Sequence, residues 1–547
     1  VVQDFGKPGG DGEILHKLLV ERASRNPNWF SEISLAKFLK SRLPTSSTSV
    51  AMCLPKNKFP SKKDQLRQAA VLAAGALDFQ LLIERQLLQP DIRGKTPLDM
   101  SQYQCVFSAY RKPSISCDKL EFNRPLDKSG EHMVAIHNGQ MFTFNAYDAR
   151  GVPHDESRIL TQLMRVVELS PEKDIGVGIL TAEDRDVWAK VYSSLGHNSQ
   201  NAASLEAIKR AALVVCLDGG LADADPYEVA WPRQVYEGGP NAEYAANRWW
   251  DKPVQVIVGE NGGSALLYDH TTFDGTTMAG VTNHCYHYAQ KAGNFEASKD
   301  GAEDAPQKLE FVLGPDTLHD IEKAKSSHAR YAGGTERLFY QFSYYGKKFV
   351  QSCNMSPDGY TQMAVQLAAF RCHAMPILPL NLAGKLNLHI GHVPSTLQVI
   401  VELAALLKCF PLPFLCPREK YSRINNSVSA ALYYTKNIQL GYSLTHRCKR
   451  SCCLGLLVSI ENYACLLFKG LFPPYRFLLK VNLQCDGTTL ADPALPDIYM
   501  VMYNIRPESF TFGLSCSKSF PEKNVAKFKD ALEQALTELR ACMDRSC

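Results

Sequence analysis

Long apolar runs are missing from this chain. The longest candidate, Thr396 to Cys416, is broken by Glu402, Lys408 and two prolines, so it falls short of the about 18 uninterrupted apolar residues that a spanning helix needs. A dominant charge is missing too. The chain carries 60 Lys and Arg against 56 Asp and Glu, a net charge of +4, and no long basic run, so neither bulk nor local charge points to nucleic acid. The 17 cysteines contain no pair of CxxC motifs at zinc-finger spacing, which argues against a structural zinc site. Only Cys53, Cys105, Cys117, Cys216 and Cys285 precede residue 300. That is not the dense pattern of a small secreted disulfide scaffold, and free thiols in a reducing compartment are expected. The opening VVQDFGKPGGDGE has no basic stretch followed by an apolar one, so no secretory leader is expected in it. The closing MDRSC matches no common sorting tail. These readings lead to the expectation of a soluble intracellular monomer with no integral membrane segment, no nucleic-acid partner and no metal. Nothing in them indicates an organelle.

What is present is enough apolar residue for a substantial core: 45% of 547, with three or four domains expected at roughly 150 residues each. Leu15, Leu18 and Leu19 form a helical stripe within 12–43, and Gln65 to Leu88 reads as a second helix rich in Leu and Ala. MVAIH and QMFTF flank Asn138-Gly139, a hairpin signal because a type I′ turn needs positive φ at both central residues. A helix is expected over Asp155 to Leu169. VQVIVG and SALLYD flank Glu260 to Gly263 as a second hairpin, and His270 follows directly. A side chain at a strand end can be held by a rigid sheet and still face a cleft. His284 and His287 stand three apart on an expected helix without an evident third ligand, and read as ordinary helix residues. Near the C-terminus, Ser519 and Glu522 form a capping-box pattern ahead of an apolar face of Val525, Phe528, Leu532, Leu536 and Leu539. Residues 372–470 show no sustained period of 2 or 3.6 and crowd Cys and Ser.

Several blocks, in order, resemble the carnitine/choline acyltransferase family. NWFSEISLAKFLKSRLP and LPKNKFPSKKDQLRQAA are similar to its entry segment. PLDMSQYQCVFSAYRKP resembles its tyrosine–arginine–proline signature, AANRWWDKPVQVIV the block before its active site, LLYDHTTFDG its catalytic histidine block, and YYGKKFVQSCNMSPDGYTQMAVQLAAFR its coenzyme A segment. The likeness runs almost unbroken from about 28 to 371 and returns toward the C-terminus.

The resemblance implies a mixed α/β fold of two chloramphenicol-acetyltransferase-like halves with an active-site tunnel between them. The expected division is 1–27 as a segment packing on the second half, 28–313 as the catalytic-histidine half, and 314–547 as the coenzyme A half, with an atypical insert at 372–470. It implies coenzyme A-dependent transfer of a short acyl group to and from carnitine. Acyl-coenzyme A is then a co-substrate, and no cofactor is bound permanently. His270 is expected as general base, helped by Asp274. An imidazole of ordinary pKa, near ~6.5, can take a hydroxyl proton at cellular pH, and such catalysis contributes about 10²–10⁴-fold. Lys347, Lys348, Gln351 and Asp358 are the expected coenzyme A contacts, with Gln351 standing where the family carries a second lysine. Arg476 is expected to meet the carnitine carboxylate, as a fixed positive charge suits that group. Phe38 stands where carnitine enzymes often have a tyrosine, and cannot donate to that carboxylate.

The match fails after Arg371. The threonine–tyrosine–glutamate–serine and glycine–arginine–threonine blocks do not follow, and a deletion is expected at 500/501 that removes the strand carrying the oxyanion-binding serine. Loss of one such donor costs around 10²–10³ in rate. Two further readings therefore stand beside the first. One is choline acetyl transfer, since HTTFDG also resembles the choline enzymes' histidine block. The other is a catalytically impaired, coenzyme A-binding relative or a faulty gene model.

Overall fold

The structure, a computed structural model, describes residues 9–26, 28–58, 61–93, 96–123, 132–220, 225–240, 242–298, 305–373, 378–381, 477–482, 485–493 and 498–544. Nearly all of the expected insert 372–470, and Arg476, lie outside the described residues. The architecture is mixed α/β, built on two principal sheets. In the larger, strands run in the order β11 (Gln307–Lys308), β7 (Gln140–Asn145), β6 (His132–His137), β8 (Val214–Asp218), β9 (Val254–Gly259), β10 (Ser264–Asp269), β1 (Ser49–Cys53) and β15 (Thr488–Ala491). In the smaller the order is β12 (Thr335–Phe342), β17 (Phe510–Ser517), β16 (Ile498–Ile505), β14 (Phe477–Asn482) and β13 (Leu378–Asn381). Two short ribbons complete the strands: β2 (Ile92–Arg93) with β3 (Thr96–Pro97), and β4 (Ala109–Lys112) with β5 (Lys119–Phe122).

The central strands β8, β9 and β10 are buried throughout. Sheets covered on both faces take continuous apolar runs rather than alternation, and VVCLD and VQVIVG have that composition. Both expected hairpins form. At the β6–β7 turn Asn138 and Gly139 have φ of 52° and 75°, the left-handed region that this turn requires. The helix Lys62–Glu84 is the one described helix long and apolar enough to cross a membrane, and 72% of its most apolar stretch is buried inside the fold. It packs on the helix Gly275–Lys291, where a Cβ at Gly75 would lie 3.2 Å from the backbone of Cys285, so the missing side chain allows the close approach.

Two expectations change. The helical stripe of 12–43 is two helices, Asp11–Arg25 and Trp29–Lys40; the break falls at the Asn-Pro-Asn of 26–28, because a proline disfavours helical backbone in the residue before it. The C-terminal helix is Val525–Met543, not one begun by a Ser519–Glu522 box. Its cap is Asn524, whose side chain accepts from the Lys527 amide at 2.8 Å. Pro521 and the intervening turn place Ser519 too far upstream to serve. The apolar face read from the sequence is buried as a unit.

The two sheets meet at β15, from the C-terminal part of the chain, which pairs with β1 at the edge of the larger sheet and lies against Gly513 of β17. Arg337 of β12 makes a bidentate pair with Asp492, just after β15, at 2.7 and 2.6 Å, and reaches Glu237 at 2.8 Å. Tyr236 lies under that guanidinium, 4.9 Å away, and its hydroxyl donates to the Leu490 carbonyl at 2.8 Å. The position 500/501 lies inside β16, whose pairing continues through Met500↔Ser515 and Val501↔Leu514.

Candidate active site

β10 ends at Asp269, paired with Ser49 of β1, and His270 is the next residue. Its amide donates to the Thr48 carbonyl at 3.3 Å. Asp269 turns inward: its Oδ1 accepts from the amide and hydroxyl of Thr271 at 3.1 and 2.7 Å and from Thr48 Oγ1 at 3.4 Å. Both neighbours of the histidine are thus fixed below the surface, and the imidazole is left at the strand end with 34% of its side chain exposed. Its ring stacks on Phe38 at 5.7 Å with 24° between planes.

Asp274 stands at the start of the helix Gly275–Lys291 but makes no side-chain cap. Its Oδ1 lies 4.0 Å from His270 Nδ1, beyond hydrogen-bond range. Gln102 holds Asp274 in place, accepting from its amide at 2.9 Å and donating to its Oδ2 at 3.4 Å. His270 Nδ1 is buried and has no hydrogen-bond partner among the described residues. Three predicted residues, His270, Asp274 and Phe38, therefore converge. The arrangement can exchange a proton with a group presented at the exposed ring edge.

Beneath them lies a buried ionic layer that the sequence reading did not assign. Arg111 Nε donates to Asp118 Oδ2 at 2.8 Å. Arg185 bridges the same carboxylate at 2.8 Å and Asp251 at 2.6 Å, and Trp188 Nε1 donates to Asp251 at 2.7 Å. Burial works against the Arg185 charge, but Asp251 and Asp118 outweigh it and hold its pKa above the ordinary arginine value. Arg111 belongs to the RKP signature, so its segment was visible in the sequence. Its partners, drawn from residues 38 to 271, were not.

The expected coenzyme A residues gather at the smaller sheet. Gly346 opens the short helix Lys347–Ser352 against the β16–β17 turn, where a Cβ would collide with the backbone of Arg506, Glu508 and Ser509. The amides of Lys347 and Lys348 donate to the carbonyls of Arg506 and Pro507 at 2.8 and 3.0 Å. Lys348 pairs with Glu508 at 2.5 Å in full solvent, a contact worth little. Gln351 is exposed one turn on. Asp358, in the first turn of the helix Pro357–His373, accepts from Tyr503 Oη at 2.7 Å. Burial, then Asp358, push the Tyr503 phenol well above its usual pKa. His284 and His287 contact Asp78 at 2.7 Å and Asp486 at 3.1 Å respectively. Among the described residues no group of three or more His, Cys, Asp or Glu is arranged to hold a metal.

The two-sheet α/β fold carries an accessible imidazole braced at the end of a core strand. The choline/carnitine O-acyltransferase family model matches residues 1–378. Over 99% of this chain, the carnitine O-acetyltransferases of Rattus norvegicus and Homo sapiens are each 30% identical, with 88% of either relative covered. The choline O-acetyltransferase of Homo sapiens is 28% identical over 99% of this chain and 74% of its own length. The chain belongs to the choline/carnitine O-acyltransferase family, and is an O-acyltransferase by that membership.

Proposed function

We propose that this chain transfers a short acyl group between coenzyme A and the hydroxyl of carnitine, with His270 as general base. The observation that carries the reading is the placement of His270: a partly exposed imidazole, stacked on Phe38 and facing Asp274, at the end of a buried strand. A proton on Nδ1, toward the Asp274 carboxylate, leaves the Nε2 lone pair to take the substrate's hydroxyl proton. The freed oxygen then attacks the thioester carbonyl and forms a tetrahedral adduct. As the adduct collapses the C–S bond breaks, and the departing thiolate takes the proton back from the imidazolium. No acyl-enzyme is needed. Lys347 and Lys348 supply point charges suited to the phosphates of coenzyme A, and Asp358 with Tyr503 shapes the neighbouring helix entrance.

Carnitine is preferred over choline for Arg476, a charge suited to a carboxylate, and a short acyl group for the likeness of the entry segment to the acetyl-transferring branch. The choline reading is favoured by HTTFDG and by the relatives of that name. Thiol release from acetyl-coenzyme A, measured with carnitine and with choline as acceptor, tests the assignment. Release should depend on carnitine; equal kcat/KM with choline would overturn the acceptor, and no release with either would overturn the activity.

A further inference from the structure

We propose that Arg111 is a positioning residue for His270, acting on both sides of the imidazole from the buried layer below. The inference rests on the reading of His270 as the base. Arg111 is 1% exposed and distributes three donors. Nε anchors the guanidinium on Asp118 at 2.8 Å. Nη1 donates to Thr271 Oγ1 at 2.7 Å, and Nη2 donates to the Phe38 carbonyl at 3.0 Å. The first of these outer contacts fixes the residue that follows His270. The second fixes the residue whose ring stacks on it. Thr271 passes the constraint on, because the hydroxyl that accepts from Arg111 donates to Asp269 Oδ1 at 2.7 Å. Asp269 Oδ2 lies 3.8 Å from Arg111 Nη1 and has no hydrogen-bond partner among the described residues. The cation therefore also balances the buried carboxylate beside the histidine.

The geometry needs an arginine. A planar fork reaches three oxygens in fixed directions, whereas a lysine presents one nitrogen on a flexible stem. Without the fork, Phe38 and Thr271 lose their common anchor, and the ring that both of them frame is free to shift. Displacement of a catalytic group by about 1 Å can cost on the order of 10²-fold. The helix Trp29–Lys40 that carries Phe38 has exposed residues along it, so its hold on the site depends on contacts of this kind.

The test uses the full chain and four proteins: wild type, Arg111→Lys, Thr271→Val and the double variant. Two readouts are taken: acetyl transfer to carnitine, and the ¹³Cε1 imidazole resonance of His270, assigned by its loss in His270→Gln. Arg111→Lys should lower kcat about 10–100-fold, with KM for acetyl-coenzyme A within about twofold. It should also shift the His270 resonance itself, because the ring loses the frame that Phe38 and Thr271 set. Thr271→Val, which leaves the Arg111–Asp118 pair in place, should reproduce part of both changes, and the double variant should lose less than the product of the singles, because the two act through one link. Unchanged His270 resonances in Arg111→Lys and Thr271→Val would overturn the proposal, as would multiplicative losses. If instead His270→Gln retains wild-type activity, the general-base reading fails, while the resonance still reports whether Arg111 sets the ring's position.

Discussion

Removal of the Asp492 carboxylate should unfasten the two sheets. Arg337 and Asp492 are each about 2% exposed and joined by two bonds of 2.7 and 2.6 Å. Burial opposes the Arg337 charge, and Asp492 is the chief group that restores it, with Glu237 next. Hydrogen bonds to charged groups contribute about 1.5–3 kcal/mol each, and a buried pair broken on one side costs about 3–5 kcal/mol because the other charge is left uncompensated. Glu237, 18% exposed and on one nitrogen only, cannot replace a bidentate partner. Asp492→Ala should therefore lower unfolding free energy by about 3–5 kcal/mol. Arg337→Met added to it should recover at least half of that loss, since the stranded charge is gone. Urea denaturation followed by tryptophan fluorescence is the assay: Trp188, Trp231, Trp249 and Trp250 are all buried around the larger sheet, against which β15 lies. A loss under about 1 kcal/mol, or a double variant no better than the single, would show that this pair does not fasten the sheets.

Three other outcomes are expected. Gly513→Ala should destabilise the protein by at least about 2 kcal/mol, since its Cβ would collide with the Thr489 backbone where β17 crosses β15; thermal unfolding checks it. His328 is buried and held neutral, its pKa pushed down from 6.5 to about 4 chiefly by burial and then by Arg337. Between those values the unfolded chain binds a proton that the native protein refuses, so stability falls on acidification from pH 6.5 to 4 by up to about 3 kcal/mol from this group. His328→Phe should flatten that acid limb in urea titrations at several pH values. Tyr503→Phe removes the 2.7 Å bond to Asp358; KM for acetyl-coenzyme A should rise about 3–10-fold with kcat within about twofold, in steady-state kinetics.

The parts of this molecule that could be read from sequence are those whose causes are local. Asn138-Gly139 announces its turn because both residues must take positive φ, and they do. The C-terminal helix face was visible in its 3.6-residue period, but its start was not: a capping pattern at Ser519 competes with the better-placed Asn524, and only the backbone path decides. β15 escaped notice because Thr488–Ala491 is four residues long, and its partner β1 lies more than 400 residues earlier, between Ser49 and Cys53. The site divides in the same way. His270, Asp274 and Phe38 lie in recognisable blocks and meet in space. Arg111 lies in one as well, yet its partners Phe38, Asp118 and Thr271 are scattered, so its place under the histidine emerges only from the fold.

If the imidazole of His270 moves the proton during acyl transfer, the rate must collapse when it is removed. The most direct measurement is the rate of carnitine-dependent thiol release from acetyl-coenzyme A by His270→Ala beside wild type, both shown folded by matching circular dichroism and unfolding midpoints. Loss of base catalysis should lower kcat by about 10²–10⁴-fold while acetyl-coenzyme A still binds. A variant that turns over within about threefold of wild type would show that His270 is not the base.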